Sequence, residues 1–305
     1  MLRGDLETQR WPDELHPMID AANSGILFAG IAKNVGRAIR HTLNNVDNYG
    51  KLFRDYKVFI VENGSYDGTK EYLRTWARQK VNRVHIEADD VCAARSPQNP
   101  RGPDTPLLAA FRNPYMERIE QEDAERYPFV GIMDCDDVNV RPVNCNSILA
   151  GIRFLCAEPS RAAVLANQRG YYYDIWALRH DVWCPGDCWQ EFRAWSQVGL
   201  AREAGWACIG SRQVHIPTSA SPIEVESAFG GFAIYKTEFL RGRRYSDFGE
   251  DGAVACEHVS LHREIRKLGG RLFIFAPLST STPYRHIKRP RDFYYWSIRL
   301  KEMLK

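Results

Sequence analysis

The chain has 305 residues, 44% of them hydrophobic and 26% charged, with a formal net charge of +3. This is ordinary globular composition with room for one large α/β domain or two small ones, and its charge balance gives no polyelectrolyte case for a nucleic-acid partner. No apolar run approaches the ~20 residues of a membrane helix, and the polar start MLRGDLETQRWPDELHPMIDAANS carries no signal-peptide core.

Residues 25–34, GILFAGIAKN, read as a buried strand opening into a loop, and the spacing of apolar residues in 35–53 predicts a helix. Residues 56–69 give a buried strand that ends in the polar turn ENGSYDGT; KEYLRTWARQ follows as a helix and 82–89 as a third strand. This alternation predicts a parallel, doubly wound α/β sheet. Residues 92–106, rich in Pro, Asn, Arg and Asp, read as a loop, and 106–127 as a helix. The stretch 129–140, FVGIMDCDDVNV, is an apolar strand with three carboxylates at its far end. A helix is expected at 146–158 and an apolar, then aromatic, strand pair at 162–179; residues 181–222 show no clear period. Residues 230–236 read as a short strand. A helix over 255–270 carries Leu261, Ile265 and Leu268 on one stripe and stops at Gly269–Gly270, and RLFIFAPL is the last strand. The eight cysteines have no paired rhythm; they read as buried thiols of a reducing compartment. The close pair Cys184 and Cys188 lacks the four ligands of a structural zinc site.

The aspartates raise the functional question. Asp134, Asp136 and Asp137 repel one another and keep their charge cheaply only if water or a cation screens them. Ligands in open α/β sheets bind beyond the C-terminal ends of strands, where this cluster stands. Near the C-terminus, YRHIKRPRDFYYW is basic and aromatic. An acidic and a basic segment together suit a phosphate-bearing substrate held with a hard cation, Mn²⁺ or Mg²⁺.

The order of parts resembles the GT-A fold of nucleotide-sugar-dependent glycosyltransferases over residues 25–288: a strand ending in AKN, a strand ending in ENGSYDGT, FRNPYMERI on a helix, MDCDD after a strand, then CEH and LGG around a late helix. ENGSYDGT and DCDD are like the large family of inverting bacterial enzymes. The fuller run is closer to the fungal capsule-type α-1,3-mannosyltransferases. The resemblance implies an N-terminal extension over 1–24, a nucleotide-sugar-binding half over 25–140, an acceptor-binding half over 141–288 and a C-terminal helix or tail over 289–305.

What the resemblance implies can be stated residue by residue. Asp136 would be the direct ligand of the metal, Asp134 would face the ribose or a metal-bound water, and His286 would be a third protein ligand. Asp137 orients the cluster or simply begins the next turn. Donor-binding candidates are Ala32, Lys33, Asn34, Glu62, Asn63, Arg112, Asp134 and Lys288, with Arg285 or Arg289 beside Lys288 on the diphosphate. Glu62 matches the acidic position that contacts the nucleobase, although ENGS and DG form turns in any case, and Asp67 serves local backbone bonding. Arg112 matches an arginine facing the donor, a guanidinium being able to grip phosphate bidentately; the alternative is a surface pair with Glu117. His258 and His262, four apart, share a helix face as metal-binding pairs do, without a third ligand at a suitable spacing.

Inverting relatives begin the late helix with Glu-Asp, the Asp taking the acceptor's proton. Here that register holds Glu257 and His258, and Glu250–Asp251 comes seven residues too early. Glu257, with Asp134 and Asp136, completes the catalytic candidates, and the missing Asp favours retention. The expected reaction moves a hexose, mannose from GDP-mannose, to a hydroxyl of a saccharide or glycan acceptor; an inverting UDP-sugar enzyme is the alternative. Trp183, Trp189 and Trp195 could stack on acceptor rings or pack in the core. A sugar-phosphate nucleotidyltransferase would need a Gly-rich loop, of which GILFAGIAKNVG is a poor version, and a non-catalytic carbohydrate-binding protein would not need Asp134 and Asp136. The expected setting is soluble and cytoplasmic, with the lumenal domain of a truncated Golgi-type enzyme as the other reading.

Overall fold

The run GILFAGIA has no charged residue, so a strand made from it must be covered on both faces. In the computed structural model, which describes residues 21–88, 105–249 and 252–287, strand β1 (Gly25–Ala32) sends Ile26 and Phe28 into one apolar cluster and Leu27 and Ala29 into another. Burying Ile26, Leu27 or Phe28 in this way stabilises the fold by about 1.5–3 kcal/mol each. The elements that follow are α1 (Ile39–Gly50), β2 (Asp55–Glu62), α2 (Thr69–Arg78), β3 (Val84–Ala88), α3 (Thr105–Gln121), β4 (Phe129–Asp134), α4 (Cys145–Cys156) and β5 (Arg161–Gln168). After them come α5 (Cys188–Gln197), α6 (Ala201–Ala204), β6 (Ile223–Val225), β7 (Phe232–Lys236), α7 (Thr237–Leu240), α8 (Glu257–Lys267) and β8 (Arg271–Thr280).

The eight strands form one sheet in the order β3-β2-β1-β4-β7-β5-β8-β6. Six run the same way, and β7 and β6 run against them. One cluster covers a face with Ile39 and Leu43 of α1, Leu73 of α2 and Ile148 and Ile152 of α4. The other covers the opposite face with Phe111 and Tyr115 of α3, Leu261 and Ile265 of α8, and the segment that follows β5. This is the doubly wound, mostly parallel α/β arrangement expected from the alternation of patterns. Helix α8 stops as its sequence implies: Gly269 takes φ +81° and Gly270 N donates to Ile265 O at 3.1 Å.

The stretch 162–179 departs from expectation. Only its first half is a strand; after β5 the chain turns at Gly170, and Tyr171 and Arg179 make isolated bridges to His215 and Ser227. Aromatic β-propensity loses here to tertiary anchors. Tyr172 N donates to Val214 O, and Asp174 Oδ2 accepts from Gly230 N at 3.0 Å. The region without a clear period contains α5 and α6. Asp187 caps α5 by accepting from Trp189 N and Gln190 N, while Arg179 Nη2 grips its other oxygen at 2.6 Å. The strand read at 230–236 begins at Phe232, because Gly230 and Gly231 both have positive φ.

Among the described residues no helix is long and apolar enough to cross a membrane, and seven cysteines are free thiols. Cys92, most of the loop read at 92–106, Glu250–Asp251, Lys288, Arg289, most of the N-terminal extension and the C-terminal tail lie outside the described residues.

Candidate functional site

Parallel β1, β2 and β4 end side by side. Cys135 N donates to Ile31 O and Asn63 N to Ala32 O, which fixes the three strand ends against one another. The loops above are tied by short polar bonds. Asn34, at φ +51°, takes Tyr66 N on its Oδ1 and gives its own N–H to Ser65 Oγ. Thr69 Oγ1 donates to Asp67 and accepts from Val35 N and Gly36 N, so Asp67 has the local role expected of it. Beneath these loops is a cleft of 250 Å³ lined by Ile31, Ala32, Lys33, Asn63, Leu107, Leu108 and Phe111. Its walls are mostly apolar and its size suits one ring system. A larger depression at Arg54, Asp55, Arg83 and Arg126 lies at the opposite ends of the strands and is open and polar.

Glu62, expected at a nucleobase, has no exposed surface. Its Oε1 accepts Ser65 N at 2.6 Å and Lys70 Nζ stands 3.6 Å from Oε2. The carboxylate thus builds the turn that walls the cleft.

The aspartates follow β4. Asp134 N donates to Gly231 O at 3.0 Å, and Asn139 Nδ2 ties Asp134 O to Gly231 O. A Cβ on Gly231 would lie 2.4 Å from Val138 Cγ1, so this approach requires glycine. Asp136 Oδ1 turns inward onto Val138 N at 3.0 Å, while the side chain keeps 40% of its surface exposed. Its carboxyl is pushed up to about 7, first by desolvation on the inner side, then by the charges of Asp134 and Asp137, against the pull of Val138 N and Arg285. Asp137 forms a two-pronged pair with Arg285.

Arg112 is 3% exposed and does not pair with Glu117. Its Nη2 donates to Asp134 Oδ1 at 2.8 Å and its Nε to Glu257 Oε1 at 3.0 Å. Its guanidinium lies 5.3 Å from the Phe229 ring and 5.6 Å from that of Tyr245. Burial alone would weaken its hold on the proton, but Asp134, Tyr115 and Glu257 more than offset that and raise its pKa. Asn113, the next residue, clamps Tyr245 through both its backbone groups. The Arg-Asn pair therefore locks α3 to the segment before α8.

Glu257 heads the inward stripe of α8 as expected, but it is 2% exposed and its oxygens face Arg112 and Cys256 Sγ. His258 stacks on Phe229 at 3.8 Å between ring centroids. His262 is held by Ser227 Oγ at 2.9 Å and Tyr235 OH at 2.8 Å. The shared helix face of the two histidines is thus a buried core face.

Burial, with Arg112 nearby, depresses the His258 pKa well below its usual value, and burial pushes His262 down to about 3. Both are neutral in the fold, whereas in the unfolded chain they protonate near pH 6.5. The depressed folded pKa means that their stabilisation is present above pH 6.5 and is lost as pH falls below it, for His262 down to about 3. The slope is about 1.4 kcal/mol per pH unit for each histidine. His262→Gln is expected to flatten the fall in melting temperature between pH 6.5 and 5; an unchanged slope would count against this origin of acid lability.

Two groups were not singled out in the sequence. Asp174, half-buried in the aromatic run YYYDIW, has its carboxyl pushed up to about 6 by burial and by the charges of Asp134 and Glu257. Tyr173, beside it, is raised by burial and by Asp174, Asp136 and Asp134, and its ring stacks on His286 at 5.2 Å. The only legible signal was an acid inside an aromatic stretch. His286 is exposed and its Nε2 accepts from Arg285 Nε at 3.1 Å. Among the described residues no three His, Cys, Asp or Glu side chains converge as a metal site. Val138 N and Arg112 Nη2 engage only the Oδ1 of Asp136 and of Asp134, respectively, and the remaining carboxylate oxygens are hard donors of the kind that would suit a divalent cation. Of the three tryptophans, Trp183 donates to Arg212 O and packs on Tyr172, Trp189 packs on Phe192, and Trp195 is exposed.

No family model matches the chain, and no curated protein matches it. Solved structures do. A mannosyltransferase from Pyrobaculum calidifontis, in complex with GDP-mannose and Mn²⁺, is similar at 19% identity and TM-score 0.49, over 91% of this chain and 61% of that one. Residues 1–349 of TarS from S. aureus, in complex with UDP-GlcNAc, are similar at 13% identity and TM-score 0.48, over 90% and 65%. Glucosyl-3-phosphoglycerate synthase from Mycobacterium tuberculosis, with Mn²⁺, UDP and glucosyl-3-phosphoglycerate, is similar at 14% identity and TM-score 0.35, over 76% and 64%. The chain thus spans less than two thirds of the length of each.

Proposed function

We propose that the chain is a metal-dependent GT-A glycosyltransferase that moves a hexose, mannose from GDP-mannose, to a saccharide hydroxyl with retention of configuration. The observation that carries this reading is the position of Asp134 and Asp136 at the end of β4, one strand from a ring-sized cleft at the end of β1. In this reading the base enters the cleft between Lys33, Asn63 and Phe111, and the diphosphate extends toward the aspartates. Asp136 and Asp134 would hold a divalent cation there, which would neutralise charge on the departing diphosphate. Residues 25–140 carry the donor, and the segment after β5 receives the acceptor.

Retention is supported by the first turn of α8. Glu257 is committed to Arg112 and His258 to Phe229, so neither is open to an acceptor hydroxyl. Without a protein base, an oxygen of the departing diphosphate takes the acceptor's proton. Asp174 supports the second reading, an inverting enzyme, because a half-buried carboxyl near pKa 6 is suited to general-base work. Proton NMR of the product from GDP-mannose and Mn²⁺ is expected to show an α anomer, with Asp174→Asn losing well under ~10²-fold in rate. A β product together with a larger Asp174→Asn loss would establish the inverting reading instead.

A further inference from the structure

We infer that Arg285 occupies the cation's place at the aspartate cluster until a donor diphosphate draws it away, so that metal and nucleotide bind as a coupled pair. The inference rests on the proposed donor site. Arg285 lies in the short turn Tyr284–His286 after β8. Its Nη2 donates to Asp137 Oδ1 at 2.7 Å, its Nη1 donates to Asp137 Oδ2, and Nη2 lies 3.9 Å from Asp136 Oδ2. The guanidinium is aimed by its neighbours. Nε donates to His286 Nε2, the His286 ring stacks on Tyr173, and His286 O accepts from Gln213 Nε2 at 2.7 Å.

The two arginines at the cluster differ in kind. Arg112 is buried and shared by Asp134 and Glu257, so it stays. Arg285 is 57% exposed and its partner Asp137 44%; an exposed pair of this sort exchanges readily. When ionised, Asp136 and Asp137 carry two negative charges against the one of Arg285, while Arg112 is divided between Asp134 and Glu257. Arg285 thus cancels part of the charge that would attract a dication, and a dication would also meet the Arg285 charge within a few ångströms of Asp136. A nucleoside diphosphate changes both terms: it adds negative charge for the metal, and its oxygens offer Arg285 a bidentate partner in place of Asp137. Releasing Arg285 removes one positive charge from beside Asp136 and Asp137.

The test is calorimetric titration of the full chain with Mn²⁺ alone, GDP or UDP alone, and Mn²⁺ in the presence of either nucleotide. Wild type is expected to bind Mn²⁺ weakly alone and at least about tenfold more tightly with the nucleotide. Arg285→Ala is expected to bind Mn²⁺ alone at least about fivefold more tightly than wild type, with a smaller nucleotide-induced gain. Arg285→Lys, which keeps the charge, should stay near wild type for Mn²⁺ alone. If Arg285→Ala binds Mn²⁺ no better than wild type, or keeps the full nucleotide-induced gain, the displacement is overturned while the donor site stands. If neither protein binds Mn²⁺ with either nucleotide, the donor site and the displacement fail together.

Discussion

Asp136→Asn is expected to reduce transfer by about 10³-fold or more while leaving the fold intact, since losing a metal ligand removes several kcal/mol of charge stabilisation at the leaving group. Asparagine retains the oxygen that accepts Val138 N, so the turn over 136–139 keeps its shape. The free protein should become no less stable, and slightly more so near neutral pH. The Asp136 carboxyl has its folded pKa raised to about 7, so ionising it in the fold costs stability as pH climbs from about 4 toward 7, and the substitution removes that cost. Melting temperatures without metal should therefore be equal to or above wild type at pH 7. The gain on adding Mn²⁺ with a nucleotide should disappear. Near wild-type turnover with Mn²⁺ would remove Asp136 from the metal site.

Much of the frame was legible because local pattern decides it. β1, the VFIV core of β2 and β4 are apolar runs of the kind a doubly covered parallel sheet holds, and the strand ends fall within a residue or two of the expected ones. α8 is legible from its stripe and two glycines, although Leu268, expected as the last member of the stripe, caps the helix and is 49% exposed. The aspartate cluster was visible as three carboxylates after such a run. What was not legible is what depends on distant partners. The resemblance singled out Arg112 and directed it at the donor, but its contacts are Asp134, 22 residues away, and Glu257, 145 away. Spacing placed Glu257, His258 and His262 on the helix correctly, yet could not show that all three are buried. The aromatic run after β5 read as a strand because β-propensity measures fit to a pleated surface. That surface is absent where Asp174 and Tyr172 bind across to Gly230 and Val214.

The second large effect concerns Arg112, whose position separates holding the fold from arranging the site. Arg112→Met should cost about 3–5 kcal/mol, because it leaves Glu257 buried without its partner. For a chain of this size that is roughly a 10 °C fall in melting temperature. The loss should shrink as the solution is acidified. An unpartnered Glu257 would have its folded pKa raised, so its cost grows as pH rises above about 4.3 and is relieved below it. Arg112→Met with Glu257→Leu should recover most of the melting temperature, since replacing both members of a buried pair by apolar groups of similar volume is often neutral. Activity and stability then part company. Arg112 Nη2 also fixes Asp134 at 2.8 Å, and that bond is absent from the double variant. Asp134 is left to rotate beside Asp136, so Mn²⁺ affinity and transfer should stay low in a protein that melts near wild type. A purely structural Arg112 gives the opposite outcome, with transfer and metal binding returning in step with the melting temperature. Calorimetric Mn²⁺ titration in the presence of a nucleotide, run beside the melting curves of the single and double variants, distinguishes the two.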